Sequence, residues 1–488
     1  MRSVNRNRLK SLTNQPHKKF FLLGLLSLFW FIFRTGAKPS RITYPCQKAA
    51  ATSGSLWLTV YVLPLVSALG FSNHIDLRKR NLLFASTVMV IVTIAAISLI
   101  NSSADLPVSS SGQPMKLGFA EVKSKNPQAS TIFVINGTTG NDDGVKKLIG
   151  LMDANGMPFY QSSEGTPGLI ARDDNVILKV NSQWDERGGT NTDLVKSLVE
   201  AIVNHPEGFT GEVIIADNGQ ARGSLSYARN NAQDVTQSMQ NVAESFPRHN
   251  VSTYLWDEIT SKKVKEYSKG DMSDGYILAD SPDKETGIVV SYPKFKTERG
   301  TYISFKLGIW DPVNKTYNSE KLKVINIPVL KSHSGYGVTA STKHYMGVVS
   351  NKLTGEAGGQ AHHAIGDGGM GTQLVETRFP ALNILDAIWI NANPRSGPAT
   401  SYDEATNTNV IAASTDPVAL DYWAAKNILV PVALSEGHSD ISSMDPDYCE
   451  PGSFGNWLGL SKLEIKAAGY AANADDEMIN IYIVNNGN

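Results

Sequence analysis

Between residues 115 and 430, short β-branched runs alternate with stretches of helical period, and this alternation limits the folds open to the chain. Runs at 131–135, 175–180, 212–216 and 251–255 read as strands. Helical patterns follow near 142–154, near 192–204, within 225–244 and after the fourth run; Thr190 or Asn191 suits the cap of the second. Such a rhythm predicts an α/β fold: a mostly parallel sheet with helices on both faces. Runs 288–292 and 302–309 have no helix between them and read as a β-hairpin insertion. Runs 324–330, 382–385 and 410–413 resume the buried-strand type, and 480–484 reads as an edge strand. There is no internal repeat.

At 488 residues the chain has room for more than one domain, and its charge is unevenly spread. The first hundred residues hold 13 lysines and arginines and one acid, which leaves 32 basic and 45 acidic residues for the rest. They also hold three apolar runs, 20–33, 56–69 and 82–100. The expectation is a membrane anchor of two or three transmembrane helices at 1–100, a Ser/Pro/Gly-rich linker at 101–114 and an α/β body at 115–488. Basic flanks suit an anionic bilayer. Three spans place the body outside the cytoplasm, the preferred reading; two spans place it inside, and both satisfy the positive-inside rule. An acidic body repels phosphate backbones, which argues against nucleic acid as partner. Cys46 and Cys449 are the only cysteines, so no iron–sulfur cluster can be held by four thiolates of this chain.

The strand ends are polar in a consistent way. Lys179 and Asn181 lie two apart at the end of one run and share a face. A second run ends in Asp217-Asn218-Gly219-Gln220, a third in Lys331 and His333, a fourth in Asp386, and a fifth in Ser414, Thr415 and Asp416. In a parallel sheet these would meet at one rim, where ligands bind in open α/β folds. Some have plainer readings. Asp416-Pro417 suits a helix cap, and Asp217-Asn218-Gly219 suits a turn. Lys179 is harder to dismiss, because an ammonium in an apolar strand needs a partner. His344 follows Lys343 at a helix start, and His362 and His363 lie near Asp367 in a glycine-rich loop. That loop, with Gly368 and Gly369, could cradle an anion on backbone N–H groups. No nucleophile elbow, paired-histidine zinc helix or dinucleotide fingerprint is present.

The order of these motifs is K-x-N, T-N-T-D-L-V, a strand ending in Asp217, P-V-L-K-S-H…G-V-T…K-H-Y-M-G, then D-P-V-A-L-D. It resembles the domain of unknown function 362 family from about 173 to 426. Residues 34–50 resemble the membrane-proximal part of anchored members. The resemblance implies no settled activity. Some members carry ferredoxin-type clusters, for which this chain lacks cysteines. Lys343-His344 stands where the family pattern commonly has Lys-Asn, which adds a potential ligand or base.

Together these residues point to a membrane-anchored enzyme acting on a small anionic substrate. His333 and His344 are the candidate acid/base groups, with Lys331 and Lys343 beside them. Lys179, Asn181, Gly368 and Gly369 are the candidate substrate-binding residues. Asp217, His362 and Asp386 are the candidates for a divalent metal, and Asp217 or Asp386 could instead orient a histidine; the cofactor stays open. The alternative is a non-catalytic tethered protein that captures a small molecule or a partner with the same lysines.

Overall fold

The computed structural model describes residues 114–165, 167–353 and 362–486, together with 26, 27, 29 and 30. The chain divides between Ser110 and Ser111, and the account below concerns the second part. The apolar runs 56–69 and 82–100 and most of 20–33 lie outside the described residues, as do residues 101–113 of the linker 101–114. Among the described residues no helix is long and apolar enough to cross a membrane.

The strands in chain order are β1 (Ser130–Asn136), β2 (Asn175–Lys179), β3 (Glu212–Asp217) and β4 (Val251–Leu255). A meander follows: β5 (Gly275–Leu278), β6 (Ser291–Lys296), β7 (Tyr302–Ser304), β8 (Gly308–Asp311) and β9 (Thr316–Asn318). Then come β10 (Leu322–Asn326), β11 (Val329–His333), β12 (Gly337–Thr339), β13 (Leu382–Asn391), β14 (Thr406–Ser414) and β15 (Ile479–Asn485). The main sheet runs β15-β1-β14-β13-β10-β2-β3-β4, with β11 added on β13 and β12 on β11. It is mostly parallel, as the alternation implies; β14 runs against both its neighbours and β12 against β11. The edge strand expected near 480–484 is β15, parallel to β1.

Alternation within each strand sends side chains to two cores. Ile132, Val134, Ile177 and Ile214 belong to one; Phe133, Ile135, Val176, Leu178 and Val213 belong to the other. Helices α1 (Gly144–Ala154), α2 (Thr192–Val203) and α3 (Met239–Glu244) contribute Leu148, Leu198 and Val242 to the second core. The others are α4 (Ser341–His344), α5 (Gly369–Glu376), α6 (Pro417–Ala424), α7 (Val430–Ser435) and α8 (Phe454–Ala467). Of these, α5, α6, α7 and α8 contribute to the first core through Leu374, Leu420, Val432 and Trp457. Helices therefore cover both faces. Asn191 caps α2, its side chain accepting from the N–H groups of Asp193 and Leu194. Asp416 caps α6 with Pro417 at the first helical position, as the plainer reading of that dipeptide requires.

Three expectations are corrected. The β-hairpin insertion is a separate five-stranded antiparallel sheet, β5 to β9 in order. The run 324–330 is not one strand. Pro328 has no N–H to give the ladder, and the chain breaks there into β10 and β11. β13 takes both pieces in turn, pairing Leu382 with Ile325 near its start and Asn391 with Lys331 at its end. Finally, β14 is antiparallel, so its end at Ser414 lies beside Asn383 at the start of β13. Ser414 therefore shares one row with Asn383, Asn326 and Lys179, with β13 and β10 between it and β2, and Asp416 runs back from that row to cap α6 instead of joining the rim.

Candidate functional site

The ends of β2, β3 and β11, with α4 and the turn after it, enclose a cleft of about 390 Å³. Lys179, Asn181, Asp217, His333, Lys343, His344 and His362 all line it. Lys331, Asp386, Gly368 and Gly369 do not.

Lys179 is 1 % exposed, and its ammonium is 2.8 Å from Asp217 Oδ1 and donates to the His344 carbonyl at 2.8 Å. The other Asp217 oxygen accepts from the N–H of Ser182 at 2.7 Å and its hydroxyl at 3.1 Å. Burial holds the Lys179 pKa below the ordinary lysine value, and Asp217 opposes that shift. The pair needs Gly347 beside it: a Cβ there would lie 2.4 Å from both Asp217 Oδ1 and Lys179 Nζ. Gly347→Ala should cost about 1–3 kcal/mol of stability by forcing these groups apart. A thermal melt checks this, and an unchanged midpoint would refute it.

Lys343 is buried and has no carboxylate partner among the described residues. Its ammonium lies 5.3 Å from the centre of the Tyr336 ring. Burial pushes its pKa down to about 8. Lys331, 0 % exposed behind the cleft, donates to the Gly188 carbonyl. It is pushed down to about 7, by burial first and then by the Lys343 charge.

The two histidines differ in which nitrogen carries hydrogen. The Asn383 amide donates to the Ser414 carbonyl at 3.2 Å, so its oxygen faces Asn326. Asn326 donates to that oxygen at 2.9 Å and to the Ser341 carbonyl at 3.0 Å. Both Asn326 N–H groups are then used, and its oxygen faces His344 Nδ1 at 2.7 Å. Nδ1 must donate, which leaves Nε2 of a neutral imidazole as an acceptor. That atom is buried and has no partner among the described residues. Burial, then the Lys179 and Lys331 charges, hold the His344 pKa well below its ordinary value, against a hydrogen bond between the ring and the Val180 backbone. His333 Nδ1 accepts the Gly335 N–H at 3.1 Å, so in the neutral ring Nε2 carries the hydrogen. Burial and then Lys343 push its pKa down to about 3.

Neither histidine is oriented by a carboxylate, contrary to expectation. Asp217 serves Lys179, and Asp386 accepts the Asn191 N–H at 2.8 Å inside β13. Burial raises Asp386 to about 6. Asp217 and His362 line the cleft and Asp386 does not, and among the described residues no group of three His, Cys, Asp or Glu could hold an ion. The glycine-rich loop has a packing role. A Cβ at Gly368, where φ is +87°, would crowd Leu460, and one at Gly369 would lie 2.6 Å from the Ala364 side chain. Sequence reasoning missed Asn326, whose buried amide in an apolar strand is the same kind of signal as Lys179. It also missed Trp184 and Thr339, which line the cleft and carry no distinguishing pattern.

No curated protein and no solved structure matches this chain. Residues 318–426 match the family model described as Domain of unknown function (DUF362). The match begins at residue 318, well after residue 173, and it contains Lys331, His333, Lys343, His344 and Asp386: this stretch of the chain carries the sequence pattern of that family.

Proposed function

We propose that this chain is a membrane-anchored enzyme that transfers a proton on a small anionic substrate. The observation that carries the reading is one cleft with an ammonium, Lys343, that lacks a carboxylate partner among the described residues, beside a neutral imidazole, His344, whose lone pair is unpartnered among the same residues. Lys343 holds the substrate's negative charge. His344 Nε2 takes the proton, and the His333 N–H stabilises charge that develops on the substrate. Docking an anion on Lys343 cancels part of the positive field at both imidazoles, so substrate binding itself makes His344 a stronger base. Lys179 and Asp217 neutralise each other and hold the floor of the cleft. The apolar runs and basic excess of the first hundred residues support the anchor.

The test is turnover by the purified full chain, scored across small carboxylates and phosphates by proton NMR of the products. Turnover that is lost in His344→Ala is expected. Anion binding without any turnover would instead favour a tethered, non-catalytic binder.

A further inference from the structure

The cleft holds more than a place for negative charge. Four of its buried polar atoms lack a protein partner among the described residues: His344 Nε2, Asn181 Oδ1, Thr339 Oγ1 and the donor Trp184 Nε1. The first two are acceptors. The amide relay through Asn326 fixes the tautomer of His344 and so makes Nε2 an acceptor. A buried acceptor left unmade weakens the fold, so a site of this kind is completed by a ligand that donates. Carboxylates and the dianions of phosphate monoesters supply acceptors only. A ligand that was nothing but an anion would satisfy Lys343 and leave His344 and Asn181 unmade.

We infer that the ligand is a small hydroxylated anion, with its charged group on Lys343 and its hydroxyl hydrogens donated to His344 Nε2 and Asn181 Oδ1. This rests on the anion-binding reading above and narrows it to a ligand class. The charged group is a carboxylate or a phosphate, and the hydroxyls are what distinguish it from other metabolic anions. Thr339 can give or take a hydrogen bond and serves either part. A site built to bond a hydroxyl rejects the analogue that lacks it much more strongly than a merely apolar pocket would.

Isothermal titration of the purified full chain with matched probes tests this. Glycerate is compared with propionate, and glycerol 3-phosphate with propyl phosphate; the two pairs separate a carboxylate from a phosphate head. The hydroxylated member of at least one pair should bind about 10- to 100-fold more tightly than its partner. The preference should vanish in His344→Leu and fall in Asn181→Ala, a milder change that keeps the test alive if the first variant does not fold. Equal, Lys343-dependent affinity within both pairs would overturn the hydroxyl assignment and leave the anion site standing. Absence of binding by all four probes, or binding unaffected by Lys343→Met, would overturn the anion site as well.

Discussion

Asp217→Ala should destabilise the folded body by about 3–5 kcal/mol, the range for removing one partner of a buried ion pair. The cost arises from what stays behind. Lys179 would keep a single carbonyl acceptor, on His344, in a position that is 1 % exposed. An ammonium there must be buried nearly alone or lose its proton, and both are costly. Removing Lys179 as well, in Lys179→Met with Asp217→Ala, should recover much of the loss, because two unpaired apolar groups suffer neither penalty. Denaturant midpoints for the two singles and the double give the coupling directly. A double variant no more stable than Asp217→Ala alone would show that the pair is not what sustains this wall of the cleft.

Lys343→Met should do the reverse: it should stabilise the protein while abolishing its hold on anions. The lysine pKa falls from 10.5 to about 8 in the fold. A lowered lysine pKa means the charged form is disfavoured by folding, by about 3 kcal/mol here. That cost is present in full below pH 8, where both states are charged. It fades between pH 8 and 10.5, where the folded protein has released the proton and the unfolded chain has not. The variant should therefore be more stable than the parent at pH 7, with the advantage shrinking toward pH 10. Anion affinity of the parent should fall as pH rises through about 8, and in Lys343→Met it should be weak at every pH. A variant less stable than the parent at pH 7 would mean that the ammonium has a partner that offsets its burial. Stability is given up at this position for function, the trade expected of a binding site.

Most of the framework was legible from alternation, because a parallel strand buried on both faces needs a run of apolar residues and little else. β1 to β4, α1, α2 and β15 follow from such patterns. The direction of β14 was not legible, since Val410–Ala413 reads the same in a parallel or an antiparallel ladder; only pairing partners decide it. That is why Asp416 was grouped with a rim it does not share. The break between β10 and β11 was signalled by Pro328 and overlooked. Of the site, Lys179, His333, Lys343 and His344 were found because charged or titratable groups at the ends of apolar strands demand an explanation. Asn326 was missed because a single amide carries no charge to account for. Gly368 and Gly369 misled because close helix packing and anion binding call for glycine equally.

The row of amides from Ser414 to His344 has a consequence for how the cleft could change. A main-chain carbonyl can only receive hydrogen, so Ser414 imposes a one-way polarity that passes outward through Asn383 and Asn326 to the imidazole. β14 contributes nothing to the walls of the cleft, yet it dictates which edge of the ring a visitor meets. A substitution at Asn383, touching neither guest nor imidazole, would be enough to turn a hydrogen-taking surface into a hydrogen-giving one, and so to recode the site from inside the sheet.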